Sequence, residues 1–229
     1  MVVRHLTKKE IALLLSALLA ASSAVGCSDA SHYSQAVAVL IDVSGTYADQ
    51  KPEVARIVKR EVLPSLEPGD TIAIIRIDSE SYEKGNVEAF LTLDQRPSHA
   101  NAQKLVLAKS LDAFAARDER SQYTDIPGAM MLAGEYLRET GAKSRAILLF
   151  SDMQSDLPPG AKRTFGEHEF EGIRVVALNV KQLERDNADP DVLRTRLATW
   201  EKDVTRAGAG GWQTFLDTAK LGPYLAEIR

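Results

Sequence analysis

The sequence predicts an α/β domain on a mainly parallel six-stranded sheet, with one antiparallel edge strand and helices on both faces, and three observations carry that expectation. Several apolar runs are continuous and not alternating, the pattern of strands buried on both faces. Amphipathic helical patterns lie between most of them. Between Ile77 and the run beginning at Val87 there is only "DSESYEKGN", too short for a crossover helix, so this pair should be antiparallel.

The strand candidates are Ala36 to Ile41, Thr71 to Ile77, Val87 to Leu93, Ala146 to Phe150, Ile173 to Val180 and Trp212 to Leu216. The first helix, 51–63, places Val54, Ile57, Val58 and Val62 on one face, with Pro52 in its first turn. The second, 100–119, repeats the pattern with Leu107, Leu111 and Phe114, and the third, 126–140, with Met130, Ala133 and Leu137. A fourth, Asp189 to Gly208, carries Val192, Leu193, Leu197, Trp200 and Val204, and "YLAEI" (Tyr224 to Ile228) reads as a closing helix. The glycines Gly208 to Gly211 follow a helix and not a strand, so they read as a turn and not a phosphate loop. Met153 to Gly172 reads as a long irregular loop.

The chain has 229 residues, 45% of them hydrophobic and 26% charged, with a formal net charge of −4, a composition suited to one soluble globular domain. Residues 1–26 stand apart. Arg4, Lys8 and Lys9 precede the apolar run "IALLLSALLAA" and then small residues, the layout of a secretory signal peptide; the competing reading is a retained anchor, disfavoured by the run's length. Removing that basic segment leaves the rest more acidic still, which argues against a nucleic-acid partner. Residues 27–34 read as a polar tether and 35–229 as the folded domain.

The only cysteine, Cys27, follows the apolar segment directly and has no internal disulfide partner. "SSAVGC" resembles the lipobox of bacterial lipoproteins, whose cysteine is lipidated and becomes the mature N-terminus. The resemblance implies a lipid anchor on Cys27 and a place in the bacterial cell envelope, on the periplasmic side of the outer membrane or the cell surface. The alternative is cleavage beside Ala24, leaving a spare thiol.

In an open α/β sheet, ligands bind beyond the carboxyl ends of the strands, where the strand order reverses. Asp42, Ser44 and Thr46 follow the first strand; Ser151 and Asp152 follow "AILLF"; Thr124 and Asp125 stand at the entry of the third helix. All are hard oxygen donors. Such a set suits Mg²⁺, Mn²⁺ or Ca²⁺, whereas zinc would call for His or Cys.

Asp42-x-Ser44-x-Thr46, Thr124 in "TDIPGAM" and Asp152 resemble, in that order, the metal-ion-dependent adhesion site (MIDAS) of von Willebrand factor A domains. The pattern departs from the family at two points: Thr46 replaces a serine, and Met153 follows Asp152 where glycine is frequent. The resemblance implies direct ligation by Ser44, Thr46 and Thr124, and direct or water-mediated ligation by Asp42 and Asp152. One coordination position is then left for an Asp or Glu carboxylate of a protein partner. Asp125 is either an outer acceptor behind the metal ligands or a helix cap. Two other readings compete: a metal-free scaffold subunit of an envelope complex, and a metal-dependent phosphohydrolase with Asp42 as nucleophile. The second lacks a paired acid, because Ser44 stands where a D-x-D enzyme has one, and His168 lies in a polar stretch; no catalytic residue is assigned and the chain is not expected to be an enzyme.

Overall fold

The computed structural model describes residues 34–45, 47–178 and 190–229. The expected signal segment, Cys27, the tether up to residue 33, Thr46, Asn179, Val180 and Asp189 lie outside the described residues.

The sheet has six strands in the order β3-β2-β1-β4-β5-β6. These are β1 (Gln35–Asp42), β2 (Thr71–Ile77), β3 (Val87–Thr92), β4 (Ser144–Phe150), β5 (Ile173–Leu178) and β6 (Gly211–Phe215). All neighbours pair in parallel except β2 and β3, whose antiparallel ladder carries a register shift between Ile74 and Ile75. Every residue of β1 is buried, which explains its unbroken apolar run: strands pair on both sides of it and helices cover both faces.

Alternation along β1 divides the interior in two. Val37, Val39 and Ile41 face a core closed by α1 (Lys51–Ile57), α2 (Pro97–Ala115) and α5 (Leu221–Glu227). Ala36, Ala38 and Leu40 face a second core closed by α3 (Ile126–Glu139) and α4 (Pro190–Arg206). The small alanines on this side let α3 approach the sheet through Ala129 and Ala133. Leu148 on one face and Leu149 on the other are fully buried, each contributing about 1.5–3 kcal/mol by transfer from water.

Helix boundaries differ from the sequence expectation for local reasons. α1 runs on through a π-helical turn (Val58–Val62) into a last turn at Leu63–Ser65. Pro64 has no N–H to donate, and the wider turn, with Leu63 N bonding Val58 O, takes up the mismatch. α2 begins at Pro97, whose fixed φ suits the first turn, and ends at Ala115 and not at 119. Beyond it, Arg117 and Glu119 leave the helix to join Glu88 and Arg76 in an ion-pair cluster. The closing helix starts at Leu221, three residues earlier than expected. Gly208 turns the chain out of α4 at φ 84°, as a plain turn requires. Residues 153–172 contain no helix.

Candidate functional site

The strand order reverses between β1 and β4, and Asp42, Ser44, Ser151 and Asp152 stand at or just beyond their carboxyl ends. Asp42 closes β1 with its side chain wholly buried. Its Oδ1 accepts the Ser44 amide at 2.8 Å and its Oδ2 accepts the Ser151 hydroxyl at 2.6 Å. Burial pushes the Asp42 carboxyl up to about 6; the bonds from Ser151 and Ser44 oppose that rise, and the neighbouring charge of Asp152 adds to it. Among the described residues no Lys, Arg or His lies within ion-pair distance of Asp42.

The loop after β1 is held in place by backbone bonds. Ser121 N donates to Val43 O at 2.9 Å and Gly45 N donates to Ser121 O at 3.2 Å, while Tyr47 N and Ala48 N both reach Ser44 O. Ser44 is thereby buried and oriented beside Asp42.

Asp152, 1% exposed, follows the neighbouring strand β4 by two residues, and its Oδ1 accepts Gln154 N at 2.8 Å. The chain then makes a sharp turn at Met153, whose φ of 61° is the only positive value at a non-glycine among the described residues. This explains why glycine is the easier residue here. Met153 is retained because its side chain is fully buried in the second core and because its carbonyl accepts Trp200 Nε1 at 2.8 Å. Arg196 Nη1 donates to the Asp152 carbonyl at 2.9 Å, so α4 grips the post-β4 loop at two successive peptides.

Thr124, also buried, lies just before the cap of α3. Its backbone makes a two-bond bridge with Asp156, 2.7 and 3.0 Å, tying the α3 entry to the loop that carries Asp152. Asp125 is a helix cap: Oδ1 accepts Gly128 N at 2.8 Å, while Oδ2 accepts Ser81 N at 3.2 Å and the Nε and Nη2 of Arg163. Its oxygens are therefore committed to α3, the β2 loop and Arg163. Asp42, Ser44 and Asp152 thus stand together at or just beyond the carboxyl ends of β1 and β4, while Thr124 and Asp125 stand at the entry of α3, tied through Thr124 to Asp156 in the loop after Asp152.

The donor chemistry fits a hard divalent cation. Two buried carboxylates at the ends of adjacent strands repel one another, and Asp42 has no cationic side chain within ion-pair distance among the described residues to relieve it. Among the described residues no three His, Cys, Asp or Glu side chains cluster, so a cation here would need hydroxyl ligands besides the two carboxylates. Sequence reasoning placed Ser151 only as a hydroxyl after β4; its bond to Asp42 needed the register of β1 against β4. Arg163 and Arg196 gave no signal, since they belong to an aperiodic loop and to the polar side of α4, and Trp200 read only as an apolar residue of that helix and not as a donor to Met153 O.

One antiparallel edge strand on a six-stranded, otherwise parallel sheet with helices on both faces is a von Willebrand factor A-like fold. No protein-family model and no curated protein matches the chain. Similar solved structures include BatB from Bacteroides thetaiotaomicron, at 14% identity over 85% of this chain and 96% of that one, TM-score 0.46. An aerotolerance-related membrane protein from Bacteroides fragilis is 13% identical over 85% of this chain and 96% of that one, TM-score 0.44. A von Willebrand factor type A protein from Catenulispora acidiphila is 15% identical over 86% of this chain and 42% of that one, TM-score 0.45. Among the described residues no helix is long and apolar enough to cross a membrane.

Proposed function

We propose that the domain binds a divalent cation, Mg²⁺ or else Mn²⁺ or Ca²⁺, at the β1–β4 switch point and uses it for metal-dependent protein–protein interaction or adhesion. Asp42, Ser44, Thr46, Thr124 and Asp152 are the residues that would hold the ion. The observation that carries this reading is Asp42: a buried carboxylate beside a second one, kept in place by Ser44 and Ser151, with no cationic side chain within ion-pair distance among the described residues. When bound, the ion supplies an electrophilic position for a partner's Asp or Glu carboxylate.

The chain's own part is to hold the donors in place. The Ser44 amide and the Ser151 hydroxyl fix both Asp42 oxygens, the Ser121 bridge fixes the β1 loop, and the Thr124–Asp156 bridge joins the third donor to the second. Lipidation at Cys27 would fix the domain to an envelope membrane, since each buried methylene contributes about 0.8 kcal/mol.

Calorimetric titration with Mg²⁺ and Mn²⁺ tests the cation. Wild type should bind, and Asp42→Ala and Asp152→Ala should bind at least about tenfold more weakly. A wild-type domain that takes up neither ion would overturn the reading in favour of a metal-free scaffold. Phosphatase turnover that requires Asp42 would overturn it in favour of an enzyme. Mass spectrometry of the N-terminal peptide from envelope membranes tests Cys27: an acylated cysteine is expected, and a free thiol refutes the anchor.

A further inference from the structure

A cleft of about 590 Å³ opens between the post-β4 loop and α4, starting at Met153 and Gln154, next in the chain to Asp152. Its volume is in the range of binding pockets. Its wall carries three guanidinium groups, Arg163, Arg196 and Arg206, against one carboxylate, Asp203, in a chain that is acidic as a whole. Arg163 spends Nε and Nη2 on Asp125 Oδ2, at 3.1 and 3.0 Å, and its Nη1 makes no hydrogen bond among the described residues. Among the described residues Arg206 bonds only Asp203, through Nη2 at 3.3 Å, and its side chain is about half exposed. The floor is apolar: Phe165 packs edge-on against Phe170 at 4.7 Å and lies 6.5 Å from the Trp200 ring.

We infer that this cleft binds an acidic side chain, together with an apolar neighbour, from the same protein segment that presents its carboxylate to the cation site; in that pairing the inference rests on the proposed function. Arginine forks match carboxylates in geometry as well as charge, and the aromatic floor favours a peptide over a bare anion. Recognition is then two-pronged. Arg196 joins the prongs, because it lines the cleft and also donates to the carbonyl of Asp152.

The test uses a short synthetic peptide alternating Glu and Phe, its Gln-for-Glu counterpart, and inorganic phosphate as a competitor. Binding is followed by calorimetry in Mg²⁺ and in chelator, on wild type, Asp42→Ala, Arg206→Gln and Arg206→Glu. Arg206 is exposed, so its substitution leaves the fold intact, which circular dichroism verifies. The acidic peptide should bind wild type in both conditions, more tightly in Mg²⁺, and Arg206→Glu should weaken it about tenfold in both. Asp42→Ala should lose the Mg²⁺ enhancement and keep the arginine-dependent part. Equal binding of the Gln peptide, or wild-type affinity in both Arg206 variants, overturns the cleft. So does displacement by phosphate as effective as that by the acidic peptide. Arginine-dependent binding that persists in chelator, with no Mg²⁺ uptake by wild type, refutes the cation reading while the cleft stands. Mg²⁺ enhancement that ignores the arginines does the reverse.

Discussion

Replacing Asp42 by asparagine should make the metal-free domain more stable at neutral pH. The carboxyl rises from an ordinary 3.8 in the unfolded chain to about 6 in the folded one, chiefly because it is buried. At about 1.4 kcal/mol per pH unit, that difference corresponds to about 3 kcal/mol. The sign follows from which state holds the proton. Below 3.8 both states are protonated and the contribution to stability is fully present; between 3.8 and 6 the unfolded chain releases its proton first, so stability falls, and above 6 the loss is complete. Asparagine has the same shape, can accept the Ser44 amide through its carbonyl oxygen, and can donate to a Ser151 hydroxyl that rotates. It also removes the repulsion on Asp152. Urea unfolding in chelator at pH 8 should therefore show Asp42→Asn more stable than wild type by up to about 3 kcal/mol, with the gap closing near pH 4. Added Mg²⁺ should stabilise only the wild type. Equal stability at pH 8, or a wild type more stable than the variant in chelator, would refute the argument that Asp42 is held at a cost to the fold.

Three further substitutions separate the parts of the molecule. Asp125→Ala strips the cap from α3 and leaves Arg163 without its carboxylate; urea unfolding should show a loss of about 3 kcal/mol. Calorimetry should find Mg²⁺ affinity changed about threefold or less, and a larger change would assign Asp125 to the cation site. Met153→Gly relieves the left-handed backbone by about 1–2 kcal/mol but empties a buried side-chain site whose loss costs about 2–5, so thermal unfolding should register net destabilisation. At the opposite, amino end of the sheet, Arg229→Ala removes the guanidinium that bonds buried Asp70 at 2.9 Å and Ser65 O at 2.8 Å. It should cost about 3 kcal/mol in denaturant without altering cation affinity.

The fold was legible in the chain because burial on both faces writes itself as uninterrupted apolar runs, as in β1 and β4, and because "DSESYEKGN" leaves no room for a crossover. The ends of helices were less legible. Pro64 reads as a stop, yet the helix absorbs it in a π-turn, and the last turn expected of α2 unwinds so that Arg117 and Glu119 can meet Arg76 and Glu88 across the sheet edge. Those are long-range partners that no local pattern announces. Asp42, Ser44, Thr124 and Asp152 could be placed after their strands and at the helix entry because strand ends and helix starts are local features. The bond between Ser151 and Asp42 depends on which residues of β1 and β4 lie side by side, Ile41 against Phe150. Met153 was visible as a residue where glycine is easier, but that its burial holds it there was not. The arginine cleft was invisible, since a loop without periodicity and the groups α4 turns outward carry no positional signal.

The pairing of β1 with β4 also sets when the site can exist. Ser151 and Asp42 are 109 residues apart in sequence, and α1, β2, β3, α2 and α3 must all be laid down between them. A chain of which only the β1–β3 half has formed carries Asp42 and Ser44 but not the Ser151 and Asp152 that stand beside them in the finished sheet. Contacts of such long range form late, after the loop-closure entropy between them has been overcome. On the proposed function, a divalent cation would therefore act on the finished sheet and not on its assembly: added Mg²⁺ should slow unfolding and leave the rate of folding unchanged.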